Sequence, residues 1–481
     1  MKNIMLPRAG RSLALAAVLA ALAACAEPLA TAPESEAPAF ARGGGSGPKV
    51  TSTDPGRASP GTTLDVRIFG SGFDNGTQAT FAIDSVPTGG IVTNRTTFVS
   101  SGEIVANITV SASAELTTYD VIATTTGGKK GIGTEMFLVS YTVLDLGGHP
   151  TLNGTQASDV NSAGVIVGYA GLGSSANESH AMRWTVTGIG QATSEDLHSL
   201  LQPAYRSLAY EINEAGSIVG FRQLGTDQST ARPFLLSAAG VMTELHTRCG
   251  PTETTVQGYA YGISETGAII GAEVNPGTQA LYWAPGALCA EALPNPRSTS
   301  EVNGISPDGT VIIGTISHAG ESDPVRWTRL PDGSGWSLEI LPRLSPYVTP
   351  AAIDSDGSIV GWEQRATLVR KRGSTYYDYS QNAYHWPGGT SVQLLSTLGG
   401  DATWAMNIHA GRIVGSSNMG IDKPNHAVVW QPDGSLVDLG TIVVGGMSFA
   451  LGIRDNFVVG YADVDTPGRG IETHAVVWTL P

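Results

Sequence analysis

The chain has 481 residues, 41% of them hydrophobic and 14% charged, with 61 Gly, 27 Pro and a net charge of −15. Two or three domains fit that length, and each can bury a real core. The acidic balance excludes a nucleic-acid binder, whose phosphate contacts require a basic stripe. Low charge, abundant Gly and many Val, Ile and Thr runs predict an all-β protein, and no long stretch after residue 25 has helical periodicity.

Lys2, Arg8 and Arg11 precede the apolar run "SLALAAVLAALAAC", giving the charged and hydrophobic regions of an export signal. About 13 apolar residues are too few for a comfortable membrane span. The run ends in Leu22-Ala23-Ala24-Cys25 and resembles a bacterial lipoprotein signal sequence. The resemblance implies that residues 1–24 are removed and that Cys25 is diacylated on sulfur, so that the membrane is a partner through a lipid anchor. Ala26, where an Asp would signal retention, implies the outer membrane or cell surface. An ordinary secretory signal with Cys25 incidental is the alternative. Residues 25–49, "CAEPLATAPESEAPAFARGGGSGPK", are rich in Ala, Pro, Glu, Ser and Gly, could bury no core, and read as a disordered tether.

Residues 50–140 hold β-branched or alternating runs such as "TLDVRIFG", "EIVANITVS" and "TYDVIATTT", separated by Gly, Asn and Asp turns. Some six to seven strands in about 90 residues predict a small β-sandwich. The stretch "PGTTLDVRIFGSGFDNGTQATF", with Gly70-Ser71-Gly72-Phe73, resembles the IPT/TIG family of Ig-like domains. That family implies a spacer or binding module rather than an active site. Phe73 reads as core.

From residue 141 a unit recurs: A-x-x-I-N, a turn ending in Gly, I-V-G, a variable stretch, then a strand with a polar residue four positions before a Trp. The I-V-G signature ends at Gly168, Gly220, Gly271, Gly314, Gly361, Gly415 and Gly460, spacings of 52, 51, 43, 47, 54 and 45 residues. Such periods fit one four-stranded propeller blade per repeat. Trp184, Trp283, Trp327, Trp386, Trp430 and Trp478 fill one slot, with Leu236 in the second repeat, and read as bricks between blades. The polar slot holds His180, Arg232, Gln279, Asp323, Asn382, His426 and His474, too varied for a ring of metal ligands. A small residue (Ala157, Ala209 and Ala260 in the first three copies) stands three before the apolar position, as suits a strand near a crowded axis.

A fourth strand, as in "LVDLG", follows the Trp, and a strand of the same kind, "YTVLDLGG", precedes the first unit. The last repeat stops just after Trp478, so the leading strand is expected to complete it. The expected fold is an Ig-like sandwich over 50–140 and a closed seven-bladed β-propeller over 141–481. The pattern "DLG…A-x-x-I-N-x-x-G-x-I-V-G…H-A-x-x-W" resembles the HAF repeats of extracellular bacterial proteins, over about 70% of the chain. The copies read HAM, HAV and HAV rather than His-Ala-Phe. The resemblance implies a propeller and an extracellular place, and no particular reaction.

Cys249 and Cys289 follow equivalent regions of consecutive repeats in an exported chain, and a disulfide between them is expected. Asp354 and Asp356 of "IDSDGSIVG" suggest calcium, but sibling turns read NSAG, NEAG, SETG and SPDG, so a hairpin turn explains them better. No H-E-x-x-H, C-x-x-C-H, G-x-S-x-G or P-loop occurs, and no catalytic residue, metal or cofactor is predicted. The fifth repeat carries one unusual insertion, "LVRKRGSTYYDYSQNAYHW". Its Arg370, Lys371, Arg372, Tyr376, Tyr377 and Tyr379 form a candidate ligand-binding loop for an anion or glycan. The expected function is a non-enzymatic surface lipoprotein that binds a protein or glycan. The alternative is an envelope carbohydrate-active enzyme, which needs two carboxylates at the central funnel.

Overall fold

The computed structural model describes residues 47–480 apart from 112, 116, 173–177, 189, 250–256, 275–276, 319–320, 346, 372–373, 390, 421–422 and 444, and omits the side chains of 318 and 366–379. The protein is all-β. Its described residues fall into two compact units, one around residues 143–478 and one around the residues up to 142.

The first unit has two sheets. One orders its strands Lys49–Asp54, Thr63–Ser71, Glu103–Val110, Ile91–Ser100; the other Arg57–Ala58, Lys130–Val139, Thr118–Thr124, Gln78–Ile83, Val86–Pro87. In Glu103–Val110 every second side chain is fully buried, the period-two pattern of a strand with one face on a core. Val66, Ile68, Phe81, Ile104, Ile108, Tyr119, Val121 and Phe137 fill a core common to both sheets. Phe73 is buried in the same core.

The second unit contains seven four-stranded sheets among the described residues, here sheets I to VII. Their first strands are Thr155–Val160, Arg206–Ile212, Gly258–Ile263, Thr299–Ile305, Val348–Ile353, Thr403–His409 and Ser448–Arg454. In sheets I to VI the four strands follow one another in the chain. Sheet VII takes its first three from Ser448–Arg454, Phe457–Thr466 and Gly470–Thr479, and its fourth is Thr142–Asp145. First strands of consecutive sheets pack together, and Ser448–Arg454 packs against Thr155–Val160.

The repeated residues have local causes. Ala157 pairs with Gly168, Ser158 is then skipped, and Asp159 pairs with Val167. The same bulge follows Ala209, Ala260, Val302, Pro350, Ala405 and Ala450. At that bulge the two backbones approach so closely that a Cβ at Gly168 would collide with the Gln156 carbonyl, and one at Gly220 with that of Leu208. The small residue of A-x-x-I therefore answers to the bulge and the facing Gly. A bulge increases local twist, and its recurrence gives every first strand the same bend. The six tryptophans are at most 1% exposed. Four of them also tie sheets together: the indole N–H of Trp283, Trp327, Trp386 and Trp430 donates to the carbonyls of His246, Pro294, Pro342 and Ser396 in the preceding repeat, at 2.8–3.0 Å.

Candidate functional site

In sheets I, VI and VII the His in the polar slot before the Trp is a hydrogen-bonding clip. His180 Nδ1 meets Asp196 at 2.7 Å, His426 Nδ1 meets Asp438 at 2.8 Å, and His474 Nδ1 meets Asp145 at 2.9 Å. Each Asp belongs to the fourth strand, so the clip locks the sheet's outer pair. The next residue, Ala, turns its N–H toward the following sheet: Ala181, Ala427 and Ala475 donate to the hydroxyls of Ser207, Ser448 and Thr155. The His-Ala pair thus fastens one strand on both sides, a role that spacing alone did not reveal.

Sheet I adds two imidazoles to its clip. His149, His180 and Asp196 bring one ligand atom each within 4.8 Å of one another, the one such metal-capable group among the described residues. Proton positions oppose a metal there. The N–H groups of Thr151 and Leu152 point at His149 Nδ1 from 3.3 and 3.2 Å, so Nδ1 holds the lone pair and Nε2 the hydrogen. A ligating imidazole does the reverse, donating its far N–H to an acceptor. Ser207 Oγ accepts from Ala181 and is hydrogen-bonded to His198 Nδ1 at 2.8 Å, and the His198 ring stacks on His180 at 4.0 Å. Asp196 receives His180, the His198 N–H at 2.8 Å and His149 Nε2 at 3.4 Å. Burial pushes its carboxyl up, but these donors outweigh burial and hold it below the usual range. Burial, then the charge of His180, lowers the His198 pKa. The cluster is a carboxylate satisfied by three N–H groups.

Around the packed first strands, the two ends differ. At the end formed by the strand-one to strand-two turns, Arg454 of sheet VII reaches Glu214 of sheet II at 2.9 Å and also pairs with Glu265 of sheet III. Asn161 and Asn213 each donate to the next sheet's turn, at Asn213 and Ser264. Asp354 accepts from Ser355 and Gly411, and Asp356 from Ser358, so both carboxylates serve turns. Toward the other end, Tyr169, Leu208, Tyr210, Phe221 and Tyr259 pack together, as do Trp404, Met406, Phe449, Leu451 and Tyr461. Tyr261 stacks on Tyr259 at 5.8 Å. Among the described residues, the buried hydroxyls of Tyr210 and Tyr461 have no hydrogen-bond partner. Burial raises both phenols well above their ordinary pKa, and Tyr169 adds to each.

The residues singled out in the sequence are dispersed. Cys25 lies outside the described residues, as does Arg372. Cys249 and Cys289 form a disulfide with Cα atoms 5.8 Å apart. The insertion is not a loop, as its polar composition implied, but an antiparallel ribbon of strands Ile359–Lys371 and Ser374–Trp386. Its β-branched and aromatic residues favour extended pairing over a coil. Arg370 and Lys371 pair with Thr375 and Ser374, while Tyr376, Tyr377 and Tyr379 pair with Val369, Leu368 and Ala366.

No family model and no curated protein sequence matches the chain. Among solved structures it is similar to a puromycin hydrolase (13% identity, 70% of this chain and 55% of that one, TM-score 0.43). It is also similar to TolB from Acinetobacter baumannii (12%, 66% and 58%, TM-score 0.30) and to the tricorn protease (9%, 87% and 44%, TM-score 0.42). The chain thus spans little more than half of the first two. All three neighbours are β-propeller proteins. At these identities and scores they assign no role to any residue.

Proposed function

We propose that the second unit is a seven-bladed β-propeller closed by Thr142–Asp145, that the first is an Ig-like domain of the IPT/TIG kind, and that the chain is a non-enzymatic, lipid-anchored protein of the bacterial cell surface. It binds a glycan or protein of the envelope at the axial end away from the turns. The cyclic packing of seven first strands supports the ring, and "LAAC" supports the anchor. The observation that carries the binding reading is the pair of buried, unpartnered hydroxyls of Tyr210 and Tyr461 within aromatic clusters. A buried polar group without a partner costs about 1–3 kcal/mol, which a ligand's hydroxyl offsets. Aromatic faces beside hydroxyls are the surface on which sugars stack.

The test is a glycan array followed by calorimetry with any glycan retained. Tyr210→Phe and Tyr461→Phe should each weaken binding at least fivefold while leaving the fold intact. Unchanged affinity in both variants, or no retained glycan at all, removes the axial site.

A further inference from the structure

Sheet V differs from its siblings in the length of its middle strands. Ile359–Lys371 and Ser374–Trp386 have 13 residues each and pair without a register shift over their whole length. The first strand of the sheet covers one edge only as far as the pair Val348 and Glu363. The fourth covers the other only at Tyr384 and His385. Beyond these, Gln364 N–H donates to Tyr347 and Gln381 N–H to Asp401. From Arg365–Ser380 to Lys371–Ser374 the ladder has no third strand on either side among the described residues. Every second N–H and C=O along both edges is therefore unpaired by sheet, the condition that invites another strand.

Natural edges are blunted by bulges, Pro or charge, and this ribbon has neither bulge nor Pro. It has charge. Residues 365–380 include Arg365, Arg370, Lys371 and Arg372 against one acid, Asp378, in a chain whose net charge is −15. Like charges opposite one another destabilise a pair, so the same residues that discourage a second copy of the ribbon favour an acidic strand. Thr367, Val369, Thr375, Tyr376, Tyr377 and Tyr379 supply the β-forming remainder.

We propose that this ribbon captures an extended acidic polypeptide by strand addition to a free edge, 365–371 or 374–380. Main-chain hydrogen bonds hold the added strand, and the basic residues select its side chains. The proposal rests on the binding-module reading but not on its axial site, and it takes protein rather than glycan as the partner.

The experiment uses the full chain and a fluorescent eight-residue peptide of alternating Glu with Thr or Val, read by anisotropy. Two isomers carry N-methyl groups on alternate residues, one on each set. One edge strand can bond only every second residue of its partner, so one isomer should bind like the parent and the other at least tenfold more weakly. A peptide with Lys for Glu should not bind, and the double variant R370E/K371E should lose the acidic peptide at least tenfold. Tyr210→Phe should leave peptide binding unchanged even if it abolishes glycan binding. Equal binding of both methylated isomers would mean plain charge attraction and overturn the proposal. So would failure of the acidic peptide alongside retention of an anionic polysaccharide.

Discussion

His474 and Asp145 stand 329 residues apart in the chain, yet His474 Nδ1 lies 2.9 Å from Asp145 Oδ1. The contact repeats His180 with Asp196 and His426 with Asp438, pairs 16 and 12 residues apart. Leu146 N–H extends it by donating to the Ala475 carbonyl at 2.9 Å. Asp145 thus occupies in sheet VII the place that a local Asp takes elsewhere.

The His474 pair sets a pH dependence with a definite sign. The hydrogen bond to Asp145 raises the His474 pKa, against the lowering effect of burial, and Glu472 assists. With a raised folded-state value, the stabilisation is complete below the unfolded value of about 6.5 and is lost as pH rises through the folded one. Asp145→Asn should therefore lower the melting temperature more at pH 6 than at pH 8. With Asp145 partly exposed, the difference should be about 1 kcal/mol. An equal loss at both pH values would show that the pair carries no charge.

Gly168→Ala tests the bulge. The new methyl meets the Gln156 backbone, which cannot move aside, and the loss should reach about 3 kcal/mol. Gly335→Ala has open space around its Cβ and should stay within about 0.5 kcal/mol of the parent in chemical denaturation. Similar midpoints for the two variants would contradict the close approach.

Much of the repeated four-stranded sheet was legible in the sequence because its causes are local and repeated. The Gly of I-V-G recurs once in each of seven repeats and the buried Trp in six of them, so one strand's physics is printed repeat after repeat. The bulge was not legible, since A-x-x-I records only a small residue and gives no sign that the next one is skipped. The insertion around residues 370–379 reads in the sequence as a loop because its charges and tyrosines resemble solvent-facing coil. Only pairing reveals that Arg370 faces Thr375. The His149 and His198 additions to the sheet I clip left no pattern at all, because they come from the connections into sheets I and II, outside the repeated strands.

The cluster around Asp196 makes a further prediction. Zinc at about 0.1 mM should leave the melting temperature unchanged, whereas a bound ion would raise it by linkage. Asp196→Asn should cost about 2 kcal/mol, since it removes a charged acceptor from three N–H groups. A zinc-dependent rise that Asp196→Asn abolishes would reverse the tautomer assignment.

The two cysteine assignments are tested separately, the disulfide by alkylation and mass spectrometry and the lipidation by fractionation. Without reductant, Cys249 and Cys289 should resist alkylation, and reduction should lower stability by up to about 4 kcal/mol for the 40-residue loop. Cys25→Ser should move the protein from the membrane fraction to the soluble one. Two alkylated thiols in the folded protein, or unchanged fractionation, would contradict the respective assignment.

Closure of the ring by strand Thr142–Asp145 is best tested by native-state hydrogen exchange on the amides of residues 143–146. A closed ring predicts that the Leu146 amide, bonded to Ala475, exchanges as slowly as the amides of Phe457–Thr466 in the same sheet. Exchange of Leu146 at the rate of an unprotected loop, while Phe457–Thr466 stays protected, would contradict closure.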